Sequence, residues 1–352
     1  MRRLDIADVV KLVEKRSGLK AFLASDDGLK VETIPFGVPQ LDMIIGGGAP
    51  RGRIVLLEGD PSTGKTFLTQ LLIRSAQRMG LDCIYFNAEQ KFDPDWFATT
   101  KIDIDNLTII QGNVAESVFD AVSDLIEKGY GLVAVDSLAA LVPISENEDE
   151  MAQQTMGLQA RVFSKGLRKL IPALSASNTL VVFTNQRRSG IGPYAVDTNP
   201  GGRAMGFYSS LTLHIRRGDW ILSKNSKVEE RVGFHMTVKS TKNTVAAPWR
   251  EADLPFYFGG YVDLIESICQ MALDIDIIEK AGSWFTFNEM KYQGWDAVLT
   301  FFSHNDDAVR ELSEAVARAR MGTVDLEEET SGEEVEPAGE EPSEQGDAGA
   351  SE

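Results

Sequence analysis

The sequence predicts an α/β fold in which a mostly parallel, twisted sheet is covered by helices on both faces. Two observations predict it. Short apolar runs, Ile54–Leu57, Cys83–Phe86, Leu107–Ile110, Leu132–Val135 and Leu180–Phe183, alternate with amphipathic stretches such as Val118–Lys128 and Gly157–Leu174, the rhythm of βαβ winding. The first run is followed by a glycine loop and then a helical pattern, the strand–loop–helix order that ends at the carboxyl edge of such a sheet. At 352 residues and 43% hydrophobic the chain can bury a full core.

The elements come in this order. Residues 5–16 place Ile6, Val9, Val10 and Val13 on one helical face, with Asp5 as N-cap and Gly18 as stop. A helix this short is not stable alone, so it packs on its own core or on a neighbouring subunit, and Ser25-Asp26-Asp27-Gly28 is soft enough to permit the second. Core structure begins near Val31. Ile54–Leu57 then enters the stretch Gly59-Asp60-Pro61-Ser62-Thr63-Gly64-Lys65-Thr66, which fits G-x-x-x-x-G-K-[ST]. Downstream, Leu68, Leu71, Leu72 and Ala76 recur at helical spacing to Met79, and Gly80 stands where a left-handed cap belongs. Such a loop turns backbone N–H groups inward at the positive end of a helix, where a phosphate is the expected guest. Lys65 reaches the β- and γ-phosphates and the Thr66 hydroxyl ligates Mg²⁺; a chance glycine-rich turn is the competing explanation.

Ligands gather where strands end, so the residues after each run carry the information. Glu89, in Asn87-Ala88-Glu89-Gln90, stands where a carboxylate can hold a water in line with a γ-phosphate. Asp136 ends the run Leu132–Val135, the pattern of an aspartate that holds Mg²⁺ through water. Either carboxylate alone could be a strand-end cap; together with the phosphate loop they point to nucleotide chemistry. Asn185-Gln186 closes the fifth run, where an amide can bond a γ-phosphate and pull on the segment behind it. That segment is a glycine-rich loop, Arg187 to Arg203, with arginines beside Tyr194 and Ile191. Cations for phosphates and apolar groups for bases suit a single-stranded nucleic acid; a mobile surface loop is the alternative.

Charge is uneven. The chain carries −18, yet twelve acidic residues and no Lys or Arg fall between Gly322 and Glu352, and removing them leaves −6. That tail is expected to be disordered, either as a solubiliser or as an electrostatic competitor for a basic groove on its own protein. No apolar run reaches the ~18 residues that span a bilayer, and the N-terminus lacks the apolar stretch of a signal peptide, so the expectation is a cytoplasmic protein without a membrane partner. Two cysteines, Cys83 and Cys269, agree with a reducing compartment, Cys83 as a core residue.

Between Val31 and Met290 the chain resembles the RecA family of homologous-recombination ATPases. The residues that carry the resemblance are Ile45-Gly46-Gly47-Gly48-Ala49-Pro50-Arg51-Gly52-Arg53-Ile54-Val55, Val135-Asp136-Ser137-Leu138-Ala139-Ala140-Leu141, Met156-Gly157-Leu158-Gln159-Ala160-Arg161 and Glu279-Lys280-Ala281-Gly282-Ser283-Trp284-Phe285. It implies a RecA-like P-loop NTPase core at 31–260, preceded by a packing helix and linker at 1–30 and followed by a small α+β domain at 261–320 and the acidic tail at 321–352. The implied function is an ATP-dependent recombinase. It forms a helical filament on single-stranded DNA, pairs it with homologous double-stranded DNA, exchanges strands, and hydrolyses ATP to ADP with Mg²⁺.

By the same resemblance Glu89 is the catalytic glutamate and Gln186 the switch that reports the γ-phosphate. Asp93 contacts adenine and Trp96 stacks on it. Glu146–Met156 is the first DNA loop and Arg187–Arg203 the second, with Met156 and Ile191 between base triplets, Gly201 and Gly202 in the second loop, and Arg161, Arg168 and Arg188 on phosphates. ATP lies between subunits, where Lys242 reaches a neighbour's γ-phosphate. Two positions depart from the family, Thr244 and Gly206, each standing where a lysine is usual; fewer cations across the seam imply slow or altered turnover with filaments retained. A RecA-fold ring helicase and a non-catalytic, nucleotide-gated DNA-binding mediator are the alternatives. The Met156–Arg161 and Gly201–Phe207 motifs favour the filament, and intact Lys65, Thr66, Glu89 and Asp136 argue against the mediator.

Overall fold

The computed structural model describes residues 6–17, 30–144, 155–186, 204–223 and 229–330. The chain divides into two compact units after Ile268, later than the boundary expected from sequence. All five apolar runs are strands. Four of them lie between other strands and are buried throughout the run, while Leu107–Gln111, at the sheet's edge, is only half-buried.

In the first unit β1 (Thr33–Ile34) and β2 (Ala49–Pro50) make a small antiparallel pair. The main sheet is built, in chain order, from β3 (Ile54–Gly59), β4 (Cys83–Asn87), β5 (Leu107–Gln111), β6 (Leu132–Asp136), β7 (Leu180–Gln186), β8 (Leu211–Leu222), β9 (Arg231–Asn243), β10 (Glu251–Tyr257) and β11 (Tyr261–Val262). Among the described residues its spatial order is β11-β10-β9-β8-β3-β7-β6-β4-β5. The limb from β8 through β3 to β5 is parallel and the limb from β8 to β11 antiparallel.

Period-two alternation sends successive side chains to opposite faces, and two cores result. Val55, Leu57, Tyr85, Ala134 and Val182 face the helix Lys65–Arg78 and its Phe67, Leu68, Leu71 and Leu72. Ile54, Leu56, Ile84, Phe86, Val133, Val135, Val181 and Phe183 face the helices Ala115–Glu127 and Thr155–Ser175, through Val118, Phe119, Val122, Phe163 and Leu167. Cys83 is buried in the first core, and burial pushes its thiol up to about 12, which leaves it an apolar packing group.

The two helices of the second face meet with no slack. A Cβ on Gly166 would strike the ring of Phe119. Alanine ordinarily gains up to ~1 kcal/mol over glycine within a helix, but overpacking a filled interior costs ~1–3 kcal/mol. Gly166→Ala is therefore expected to lower the melting temperature by about 2–4 °C per kcal/mol of net loss; a rise in thermal denaturation would show that the interface has room.

The helix Ile6–Ser17 leaves Val9 and Leu12 exposed on its apolar face; the expected cap Asp5 and stop Gly18 lie outside the described residues. The chain leaves the first unit within the helix Leu264–Asp274. The second unit holds β12 (Glu279–Ala281), β13 (Trp284–Phe287) and β14 (Met290–Gln293), an antiparallel sheet in that order, with the helices Trp295–Ser303 and Asp306–Thr330. Phe285, Phe287 and Phe302 are buried. The last helix, Asp306–Thr330, runs past residue 321, where the acidic tail was expected to start. Ala317, Arg318, Ala319, Arg320 and Met321 before Gly322-Thr323-Val324-Asp325, and Leu326 with the glutamates at 327–329 after it, are strong helix formers. Residues 331–352 lie outside the described residues. No described helix is long and apolar enough to cross a membrane.

Candidate active site

The phosphate loop joins β3 to the helix Lys65–Arg78. Glycine is required at both ends. A side chain at Gly59 would strike the carbonyl oxygen of Ile215, and Gly64, with φ +99°, sits against Met236. Between them Thr63 Oγ1 donates to the Asp60 carbonyl at 2.9 Å. Lys65 folds back over the loop: its Nζ donates to the Gly59 carbonyl at 3.0 Å and the Asp60 carbonyl at 2.6 Å. Burial pushes its ammonium below the usual lysine range, opposed by Asp136, Asp60 and Glu89. At the other end Gly80 adopts φ +73° after Met79, as its position predicts.

Parallel pairing brings the other polar residues to the same edge. Asn87 pairs with Asp136, and Ala88 N–H donates to the Asp136 carbonyl at 2.9 Å. Gly59 pairs with Gln186. Asp136 is held from three sides: its Oδ2 accepts from Thr66 Oγ1 at 2.7 Å and Tyr85 Oη at 2.9 Å, and its Oδ1 accepts from Thr184 Oγ1 at 2.6 Å. Burial first, then Asp136, pushes the Tyr85 phenol far up, so it remains a donor. Glu89 takes two hydrogen bonds on one oxygen: Oε1 accepts from Ser137 Oγ at 2.8 Å and Gln186 Nε2 at 3.2 Å. Its Oε2 lies 3.4 Å from Lys91 Nζ.

Of these groups Lys65, Thr66, Glu89, Asp136, Ser137 and Gln186 line a cavity of about 440 Å³, together with Pro61, Ser62, Trp96, Phe234, Phe256 and Phe258, within the usual size of small-molecule sites. A hydroxyl and a carboxylate in contact, Thr66 and Asp136, are the hard oxygen donors Mg²⁺ takes when phosphates and water complete its shell. Among the described residues no cluster of three or more His, Cys, Asp or Glu forms a cation cage.

The structure thus brings Gly59, Asp60, Pro61, Ser62, Thr63, Gly64, Lys65, Thr66, Glu89, Asp136 and Gln186 to one edge, with Trp96 at the cavity wall. Asp93 does not line the cavity; it caps the helix Pro94–Thr99, its Oδ1 accepting from Asp95 N–H at 3.0 Å and Trp96 N–H at 3.3 Å. Lys242 also lies apart, on β9, donating to the carbonyls of Gly206 and Phe207 at 2.9 Å each. A side chain at Gly206 would meet open space. Arg161 and Arg168 are exposed on the helix Thr155–Ser175, with exposed Lys165 between them at helical spacing, a third cation that sequence reasoning missed. Met156 stands in that helix's first turn; Arg188, Ile191, Gly201 and Gly202 lie outside the described residues. Also missed were Tyr85, Thr184 and Ser137, which hold the carboxylates, and the wall of Phe234, Phe256 and Phe258. A hydroxyl at or beside the polar end of an apolar run was the available signal for Ser137 and Thr184; the phenylalanines carried none, because their strands were not recognised.

Comparison with known proteins agrees with this geometry. The family model for the RecA N-terminal domain matches residues 4–263 and that for the RecA C-terminal domain residues 266–321. Protein RecA of one Thermus thermophilus strain is 37% identical over 332 residues, 92% of this chain and 96% of that protein. Protein RecA of Thermus aquaticus is 36% identical over 88% of this chain and 93% of its own length, and that of Cutibacterium acnes 36% over 90% and 91%. With the two domain models together covering nearly all of residues 4–321 and the phosphate loop, glutamate and glutamine converging on one cleft, the chain belongs to the RecA family of DNA-dependent ATPases and recombinases.

Proposed function

We propose that the cleft beside the phosphate loop hydrolyses ATP at the seam between adjacent copies of the chain, and that the state of the γ-phosphate sets the grip of the filament on single-stranded DNA. The observation that carries this reading is the double hydrogen bond on Glu89 Oε1. One donor, Ser137, is buried and adjoins Asp136; the other, Gln186, is the last residue before the segment 187–203. The proposed base is therefore tied by one hydrogen bond to the residue that leads into that segment.

The loop N–H groups and Lys65 hold the β- and γ-phosphates. Thr66 and Asp136 would hold Mg²⁺, whose charge neutralises those phosphates. Glu89, fixed through Oε1, presents Oε2 to the attacking water and takes its proton as the water oxygen bonds to the γ-phosphorus and the bond to the β-γ bridging oxygen breaks, leaving ADP and phosphate. When Gln186 turns from Glu89 to the γ-phosphate it moves the segment behind it. Trp96 stacks on the base, Asp93 acts through the helix it caps, and Lys242 reaches the nucleotide of a neighbouring copy. Arg161, Arg168 and Arg188 take DNA phosphates, Met156 and Ile191 separate bases, and Gly201 and Gly202 let the backbone approach the strand. Homologous duplex is the second DNA partner, and the cytoplasm is where this reading places the protein. With Gly206 and Thr244 contributing no cations, turnover is slower than in family members that carry lysines there.

Negative-stain microscopy of the full chain with ATP, Mg²⁺ and single-stranded DNA tests the assembly. Extended helices are expected, lost when EDTA removes the metal; closed rings would indicate a helicase, and single particles a mediator.

A further inference from the structure

The cleft holds two lysines, and the chemistry of the phosphate loop uses only Lys65. Lys91 lines the same cavity as the phosphate loop and also a second, polar cavity of about 400 Å³, lined as well by Glu89, Gln90, Asn113 and Gln186. Its backbone N–H is anchored to Asn87 Oδ1 at 3.1 Å, while its side chain is 80% exposed and reaches Glu89 Oε2 at 3.4 Å. Ser137 and Gln186 occupy Oε1, so Lys91 covers the one oxygen left to accept a proton from water. An ion pair this exposed contributes little to stability, which leaves the placement of the cation without a folding explanation. A triphosphate entering the cleft carries more charge than one carboxylate and competes for the ammonium.

We propose that Lys91 is a catalytic residue acting within its own subunit. On nucleotide binding its Nζ leaves Glu89 for a γ-phosphate oxygen, which uncovers Oε2 and places a cation where charge accumulates in the transition state. This rests on the ATPase reading above. The water oxygen bonds to phosphorus, its proton passes to Oε2, the bond to the bridging oxygen breaks with its electron pair going to ADP, and Lys91 stays protonated throughout. The flexible lysine stem spans both positions, and its charge offsets in part the cations that Gly206 and Thr244 do not supply.

The test compares the full-length chain with Lys91→Ala and Lys91→Arg. Displacement of a fluorescent nucleotide gives affinities for ADP and for the slowly hydrolysed analogue ATPγS, and steady-state assays with single-stranded DNA give kcat and KM. Lys91→Ala is expected to lower kcat by 10- to 100-fold and to weaken ATPγS binding at least fivefold with ADP binding unchanged, and Lys91→Arg to recover most of both. An unchanged ATPγS-to-ADP ratio with kcat equal to or above the parent's overturns the proposal and reduces the pair to a cover on Glu89. A parent that hydrolyses no ATP in the same assay sinks the ATPase reading itself.

Discussion

Lys65→Ala is expected to bind Mg-ATP poorly, hydrolyse it at least 10²- to 10³-fold more slowly than the parent, and fail to exchange strands. The magnitude comes from removing one preorganised cation from a site where charge develops. The fold should survive. The ammonium is buried and bonded to the loop's own carbonyls at Gly59 and Asp60, so alanine removes both a desolvated charge and the two bonds that answer it, and these oppose each other in stability. On the proposed reading, an arriving triphosphate would replace these two carbonyls as the partner of Nζ. Calorimetry of ATP binding together with a thermal melt separates the effects. If Lys65→Ala exchanged strands as the parent does, nucleotide control of the DNA grip would be ruled out.

Glu89→Gln is expected to separate binding from hydrolysis. The amide fills the space of the carboxylate, and its oxygen can still accept from Ser137 Oγ and Gln186 Nε2, now at 2.8 and 3.2 Å from Oε1. What it lacks is a basic oxygen. General-base assistance is worth ~10²–10⁴ in rate, so kcat should fall by that factor while ATP affinity stays within a few-fold. Filaments assembled on single-stranded DNA should persist after dilution, because the reaction that releases them has stopped. Single-turnover hydrolysis and a dissociation time course measure the two halves. Loss of less than tenfold in the chemical step would assign the base elsewhere.

The parallel half of the sheet was legible because its central strands are buried on both faces, which writes them into the sequence as unbroken apolar runs. Their ends were less so. β3 continues to Gly59 and β7 to Gln186 because the pairing of Glu58 with Asn185 and Gly59 with Gln186 continues past the last apolar residue. β8 went unnamed for the opposite reason: Arg216, Arg217, Gly218 and Asp219 are exposed, and the register shifts between Arg217 and Trp220, so its periodicity is not sustained. β9 does alternate, with Phe234, Met236 and Val238 buried between His235, Thr237 and Lys239, and that signal was overlooked. At the site, the phosphate loop, Glu89, Asp136 and Gln186 were legible through their position after strands. Lys91 was not, since one lysine two residues beyond a glutamate reads as an ordinary surface charge until the fold sets it against Glu89 at the cavity wall.

The tight seating of Gly166 on Phe119 has a mechanical meaning. The helix carrying Arg161, Lys165 and Arg168 cannot yield by itself to a tug on those side chains; it must drag the helix Ala115–Glu127 along. That second helix starts beside Asn113 and Val114, where Ala115 N–H donates to the Val142 carbonyl at 2.9 Å and Val142 N–H to the Asn113 carbonyl at 2.7 Å. Tension borne by a stretched polynucleotide would thus be delivered as a rigid displacement to Asn113, which lines one cavity with Glu89, rather than dissipated in side-chain rearrangement.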